Sequence, residues 1–365
     1  MKKKILVAMS GGVDSSAVCL MLQEQGYEVA GFTMRVFDLP RQFADGSDEP
    51  DFVRSARALA RRLGIEHHVA DVRGPFRDDV VRYFLDEYEQ GRTPNPCVHC
   101  NRRFKFRLLE EWADRLGCPE MATGHYVRLR RDDAGNACLL TGLDPRKDQS
   151  YFLWQVPQST LRRCRFPLGE LTKQQVRDYL AARGFTLEAR QGESMEVCFV
   201  EGDYRDFLRA RRPGLAERVA GGTYVNSLGQ TLGHHLGVPF YTVGQRKGLG
   251  IALGRPAYVV RLNAAKNTIV LGDEADLLAP AFFVEQLCAP DVGRLLAEEA
   301  LAVRIRYHAQ PEPCRLEILP DGRCLVRTAR PVSAVTPGQS AVFYAGPALL
   351  GGAVIASQKG IGQYV

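Results

Sequence analysis

The sequence predicts an α/β protein: an N-terminal doubly wound parallel-sheet domain over residues 1–203, a small β-rich domain over 204–280 and a C-terminal β-barrel over 281–365. Three observations predict it. Short apolar runs alternate with amphipathic stretches through the first part of the chain, the order that gives strands crossed by helices. Past residue 203 the pattern changes to short alternating runs split by glycine, as in Gly222-Thr223-Tyr224-Val225-Asn226. A chain of 365 residues also exceeds what one ordinary core organises.

The elements follow in order. Residues 4–9 read as a buried strand, and 15–25 as a helix stopped by Gly26. Residues 28–34 form a second strand, 52–63 a helix ended by Gly64, and 67–72 a third strand. Residues 76–87 and 104–116 read as helices, and 120–124 as a strand. A short basic helix over 204–212 ends at Pro213-Gly214. Strands over 300–307, 314–318, 324–328 and 340–344 are separated by turns such as Asp321-Gly322 and Pro337-Gly338.

Composition excludes several classes. Hydrophobic content of 45% with 25% charged residues is ordinary for a globular protein. No apolar run approaches the roughly 20 residues of a membrane span. The apolar start, Ile5 to Met9, runs into Ser10-Gly11-Gly12 and is too short for a signal peptide, so a cytoplasmic protein is expected. The net charge of +6 permits a nucleic-acid partner without demanding one. In a reducing compartment ten cysteines do not make a disulfide scaffold. Cys19, Cys118, Cys138, Cys164 and Cys324 read as small apolar residues.

Ser10-Gly11-Gly12-Val13-Asp14-Ser15-Ser16 sits between the first strand and the first helix. Small residues let the backbone turn tightly, and the helix N-terminus offers unpaired amides to an anion. The lysine of a Walker loop is absent. Ser-Gly-Gly-x-Asp-Ser resembles instead the PP-loop of N-type ATP pyrophosphatases, enzymes that cleave ATP between its α and β phosphates. At the carboxyl ends of neighbouring strands, Met34 and Gly124 would flank the nucleoside.

Thr93-Pro94-Asn95-Pro96-Cys97-Val98-His99-Cys100-Asn101 is a proline-bounded loop feeding a helix. A helix N-terminus and the following Arg102, Arg103 and Lys105 are expected to lower the Cys100 thiol's pKa. The Cys97/Cys100 pair fits zinc, redox or iron–sulfur chemistry, and the lack of a second pair disfavours a four-cysteine zinc site. Cys198, among apolar neighbours, reads locally as a core cysteine.

The phosphate loop, the Asn-Pro-x-x-x-Cys-Asn pattern and Ser194-x-x-Val197-Cys198-Phe199 occur in the order seen in the tRNA-specific 2-thiouridylases. So do Ala122-Thr123-Gly124-His125-Tyr126, Lys147-Asp148-Gln149-Ser150-Tyr151 and Gly244-Gln245-Arg246-Lys247-Gly248. This resemblance spans most of the chain. It implies ATP bound by Ala8, Met9, Ser10, Gly11, Gly12, Val13, Asp14 and Ser15, with Met34 and Gly124. By the same resemblance the 2-oxygen of a wobble uridine would be adenylated; ATP chemistry itself normally requires Mg²⁺. Cys198 would carry the incoming sulfur as a persulfide. Cys100 would be the nucleophile that releases that sulfur by forming a disulfide with Cys198. Asn95, Pro96 and Cys97 match the stretch that meets the target base; His125, Lys147, Asp148, Gln149, Arg306, Tyr307 and Gln339 match positions touching tRNA. The implied partners are the tRNAs for Lys, Glu and Gln, and a sulfur donor such as a cysteine desulfurase or a relay protein.

One departure stands out. Many members have Asp where this chain has Cys97. The third thiol opens an alternative in which Cys97, Cys100 and Cys198 ligate a 4Fe–4S cluster. Two other functions remain open from the loop and the barrel: an amide or C–N bond-forming PP-loop ligase, which needs no paired thiols, and a non-catalytic RNA-binding protein.

Overall fold

The computed structural model describes residues 2–43, 47–132, 135–186 and 197–363. Ser194 of the family-like segment before Cys198 lies outside them. The chain forms two compact units, one of residues 1–80, 97–199 and 347–349, the other of residues 81–96, 200–346 and 350–365.

The first unit is organised by a five-stranded parallel sheet. Its strands are β1 (Lys4–Ala8), β2 (Glu28–Arg35), β3 (Glu66–Asp71), β4 (Glu120–Ala122) and, after a hairpin of β5 (Val127–Arg131) and β6 (Ala137–Thr141), the two-residue β7 (Cys164–Arg165). The order is β3-β2-β1-β4-β7. The chain therefore winds outward from β1 in one direction and then reappears on its other side as β4, which makes β1/β4 the switch point where such sheets bind ligands. Ile5, Leu6 and Val7 are fully buried because the sheet is covered on both faces.

Helix α1 (Val13–Glu24) buries Ala17, Val18 and Leu22 against Val176 and Leu180. Helix α2 (Asp51–Leu63) is amphipathic, with Val53, Ala56, Leu59 and Ala60 inward. Gly64 ends it in the left-handed conformation, as its position in the sequence predicts.

The helix expected over 76–87 is interrupted. A short turn (Arg73–Phe76) leads into a π-helical segment (Arg77–Val81) before regular helix resumes at Arg82–Glu89. The second expected helix likewise begins as Pro96–Cys100, passes through a π segment (Asn101–Lys105) and continues as Phe106–Arg115. Such insertions fall disproportionately at functional sites.

The second unit contains two β assemblies. Strands β8 (Gly222–Val225), β9 (Thr231–His235), β10 (Tyr258–Asn263) and β11 (Thr268–Gly272) pair in the order β10-β11-β8-β9. Strands β12 (Leu278–Cys288), β13 (Leu301–Arg304), β14 (Glu312–Ile318), β15 (Cys324–Ser333), β16 (Ser340–Ala345) and β17 (Ala348–Ile355) run β12-β15-β14-β13-β16-β17, and pairing of β12 with β17 closes the barrel. Among the described residues no helix is long and apolar enough to cross a membrane.

Candidate functional site

The phosphate loop leaves β1 at its carboxyl end and closes on itself through hydroxyls. Ser15 Oγ donates to the Gly12 carbonyl at 3.1 Å and accepts from the Ser10 amide at 3.3 Å. Ser16 Oγ donates to the same carbonyl at 2.8 Å. Gly11 has φ +69°, and a Cβ there would lie 2.7 Å from the Phe52 carbonyl oxygen and 2.8 Å from the Ala56 amide nitrogen. Two backbone atoms cannot retreat, so only glycine fits. The N-cap is Gly12, so Asp14 and Ser15 lie within the first turn of α1 and do not cap it.

Asp14 meets two groups that sequence reasoning did not assign. Its Oδ1 accepts from Tyr126 Oη at 2.7 Å and from Lys173 Nζ at 2.7 Å. Lys173 is the first residue of the helix Lys173–Ala182, whose capping box joins Thr172 and Gln175. A cation in a first helical turn opposes the helix dipole. That misplacement was the available signal that Lys173 has another task. Gly124 packs beside the same carboxylate: a Cβ there would sit 3.0 Å from Asp14 Cβ. Half-buried Met34 closes the carboxyl end of β2.

The thiols are gathered by aromatic packing. Phe199, next to Cys198, lies 5.6 Å from the Phe76 ring and 6.1 Å from Phe37, which follows β2. Phe76 in turn meets Phe104, in the π segment after Cys100, at 5.3 Å. On the other side, Asn101 Nδ2 donates to the Phe152 carbonyl at 3.1 Å, and Phe106 stacks on His125, which follows β4. Both thiol-bearing segments are thus anchored to residues that leave β2 and β4 at the edge of the sheet where the phosphate loop leaves β1. His99, between the two cysteines, is held by Asp79 Oδ1 at 2.7 Å.

Solvent reaches Cys97 and Cys198, and Cys100 is half-buried. The three thiols are near enough that Cys100 feels Cys97 and Cys198 feels both. Desolvation by the surrounding protein pushes Cys100 up to about 11 and Cys198 up to about 12, and it raises Cys97; Lys105 opposes the rise at all three. The expected lowering of the Cys100 pKa is therefore overturned. Cys100 lies near the start of the helical stretch that begins at Pro96, but burial of its sulfur outweighs the nearby positive charge of Lys105. The local reading of Cys198 as a core residue is corrected as well.

A family model described as the tRNA methyl transferase HUP domain matches residues 3–202. Models described as the tRNA methyl transferase PRC-barrel domain and the aminomethyltransferase beta-barrel domain match residues 206–273 and 291–355. A protein of Phocaeicola vulgatus named tRNA-specific 2-thiouridylase MnmA 3 is 57% identical over 360 residues, covering 98% of this chain and 96% of its own. The chain belongs to the MnmA family of tRNA-specific 2-thiouridylases. Its resemblance reaches beyond near relatives: a Carboxydothermus hydrogenoformans MnmA is 44% identical over 366 residues, covering 97% of this chain and 98% of its own.

The positions that MnmA resemblance links to tRNA are placed unevenly. In the first unit, Lys147 and Gln149 are half-buried, and Gln149 Oε1 accepts from the Tyr126 amide at 3.0 Å. Asp148 is buried, and its carboxylate accepts from the Gly142 and Ser150 amides and the Ser150 hydroxyl at 3.0–3.1 Å. His125 is buried between Phe106 and Phe166, with Nδ1 2.7 Å from Thr123 Oγ1, and burial holds it well below the ordinary histidine range. Both side chains are buried and bond to neighbouring groups of the protein. In the second unit, Asn95 and Pro96 are buried, and Gln339 Nε2 donates to the Thr93 and Pro94 carbonyls at 3.0 Å each. Arg306 is exposed and donates to the Ala334 carbonyl at 3.0 Å, and the Tyr307 ring lies 4.1 Å from that of His308.

The placement of the thiols does not fit the 4Fe–4S alternative. Among the described residues no group of three or more His, Cys, Asp or Glu side chains is placed to hold a metal ion. Cys97, Cys100 and Cys198 are neighbours without forming a ligand set.

Proposed function

We propose that this chain is a tRNA-uridine 2-sulfurtransferase that adenylates the 2-oxygen of the wobble uridine in the tRNAs for Lys, Glu and Gln, then replaces it with sulfur. The observation that carries this reading is the gathering of Cys100 and Cys198 at the sheet edge from which the phosphate loop departs. The uridine 2-oxygen attacks the α-phosphorus of ATP, and pyrophosphate leaves. Adenylation turns a poor leaving oxygen into AMP. The terminal sulfur of a Cys198 persulfide attacks C2 as AMP departs, which joins Cys198 Sγ to the base through that sulfur. The Cys100 thiolate then attacks Cys198 Sγ. The Cys100–Cys198 bond forms, the old S–S bond breaks, and its electrons stay on the sulfur of 2-thiouridine.

The cradle of Ala8 to Ser15 holds the phosphates with backbone amides. Lys173 supplies charge to the departing pyrophosphate, the task a Walker lysine performs elsewhere. Asp14, paired with Lys173, is the carboxylate of the cradle that would hold an ATP-borne Mg²⁺, which would supply charge neutralisation at the phosphates. Asn95 and Pro96 bear on the target base, and Lys147, Gln149, Arg306, Tyr307 and Gln339 on the tRNA; a cysteine desulfurase or relay protein loads Cys198. A reducing cytoplasm suits thiols that must return to the free state.

The test is incubation with unmodified tRNA, ATP, Mg²⁺ and a sulfur source, followed by nucleoside mass spectrometry. The expected product is 2-thiouridine, lost in Cys100→Ser and Cys198→Ser. ATP cleavage to AMP that survives both substitutions, without a thiolated base, would move the chain to the amide- or C–N-forming PP-loop ligases. Binding of tRNA with no AMP formed would make it an RNA-binding protein.

A further inference from the structure

The sulfur transfer proposed above uses two thiols, and the site contains three. Cys97 is the spare. It is exposed, it lies on the same helical turn as Cys100 (Pro96–Cys100), and its charge is felt by both Cys100 and Cys198.

Each turnover would leave the Cys100–Cys198 pair as a disulfide, two electrons more oxidised than the starting thiols. Cys198 cannot take up another sulfur until that bond opens, and an external reductant that attacks its exposed Cys198 end leaves a mixed disulfide on the very sulfur that must be reloaded. Cys97 offers an internal route. Residues three apart on a helical turn have Cα atoms about 5 Å apart, inside the range of about 4.4–6.8 Å that disulfides span. A pair so spaced can close without moving the helix.

We infer that Cys97 is a resolving thiol, an inference that rests on the sulfur-transfer reading. Its sulfur attacks Cys100 Sγ in the Cys100–Cys198 disulfide. The Cys97–Cys100 bond forms as the Cys100–Cys198 bond breaks, and Cys198 leaves as a thiolate that takes a proton from solvent. The exchange relocates the disulfide with no net oxidation. An external dithiol then delivers two electrons and two protons to the Cys97–Cys100 bond, whose Cys97 end faces solvent. Desolvation opposes a thiolate at each step, and Lys105, whose charge bears on all three sulfurs, offsets it. The aspartate that many family members carry at this position cannot exchange with a disulfide.

The test uses the full chain and its Cys97→Ser variant, reduced, loaded with glutathione persulfide and desalted. Each is given ATP, Mg²⁺ and unmodified tRNA, then quenched in acid with N-ethylmaleimide. Peptide mass spectrometry maps the disulfides, and nucleoside analysis counts 2-thiouridine. Wild type should end with Cys97 linked to Cys100 and Cys198 alkylated. The variant should end with Cys100 linked to Cys198. In multiple turnover with limiting dithiothreitol, Cys97→Ser should run at least about tenfold slower than wild type, and excess dithiothreitol should restore it. A wild-type end state of Cys100–Cys198 or Cys97–Cys198, with 2-thiouridine formed, overturns the resolving role and leaves the sulfur-transfer reading standing. A variant defect that excess dithiothreitol does not repair also overturns it, because loss of a contact to the base would behave that way. Absence of 2-thiouridine from wild type overturns the sulfur-transfer reading and this inference together.

Discussion

The phosphate cradle and the thiol cluster occupy one edge of one sheet, yet they are built differently. Between Ser10 and Ser16 the cradle fixes itself with its own hydroxyls and a glycine that no other residue can replace. The thiols are fixed from outside, by phenylalanines that follow β2, precede the first π segment, lie within the second and adjoin Cys198. A phosphate grip must be rigid before ATP arrives, because its amides act by being already in place. A sulfur relay must let one atom pass between partners, and packing fixes a neighbourhood without locking a bond length.

The sharpest probe of this contrast is a pair of substitutions. Cys198→Ser should lower thiolation at least about 10³-fold and spare ATP–pyrophosphate exchange with bound tRNA. Gly11→Ala should abolish both, because its Cβ meets backbone. Exchange activity surviving in Gly11→Ala would break the claim that the cradle has no slack.

Next in size is Lys173→Met, which removes a charge-assisted contact worth about 1.5–3 kcal/mol. Adenylation should fall about 10- to 100-fold, measured as pyrophosphate release, with tRNA affinity unchanged. Unaltered release would return Lys173 to a structural role as the partner of Asp14.

The pH profile separates the two regions by sign. With Cys100 pushed up to about 11, its thiolate is scarce at neutral pH. Single-turnover thiolation should climb about tenfold per unit from pH 7 to 9, while adenylation stays level. A flat thiolation profile would mean that Cys100 is not the limiting nucleophile.

The smallest effect on rate is expected from Phe199→Ala, about three- to tenfold in thiolation with a stability loss of about 3 kcal/mol by thermal or chemical melting. Adenylation by the folded fraction should be unaffected. An equal loss in both activities would show that the aromatic cluster supports the cradle too.

The parallel sheet, α2 with its terminal Gly64 and the phosphate loop were legible in the sequence, because each is written in neighbouring residues: an apolar period, a left-handed cap, a run of small residues. The meeting of Cys100 with Cys198 was not. It depends on aromatic contacts across long stretches of chain, and only resemblance to a family pointed to it. Lys173 was missed for the same reason, since nothing near it in sequence announces Asp14. Asp148 and His125 show a further limit. A polar residue in a motif looks alike whether it faces solvent or satisfies the protein's own amides and hydroxyls, and only the fold shows which partners it has.

The π segment Asn101–Lys105 makes chain length itself a determinant of chemistry. Removing one residue there would rewind the stretch to ordinary helix and swing everything before it by about 100° relative to Phe106 and Leu109. Cys97 and Cys100 would then face another quadrant with every side chain still present. An alignment that tolerates a gap at this point would keep the cysteines in register on paper and lose them in space.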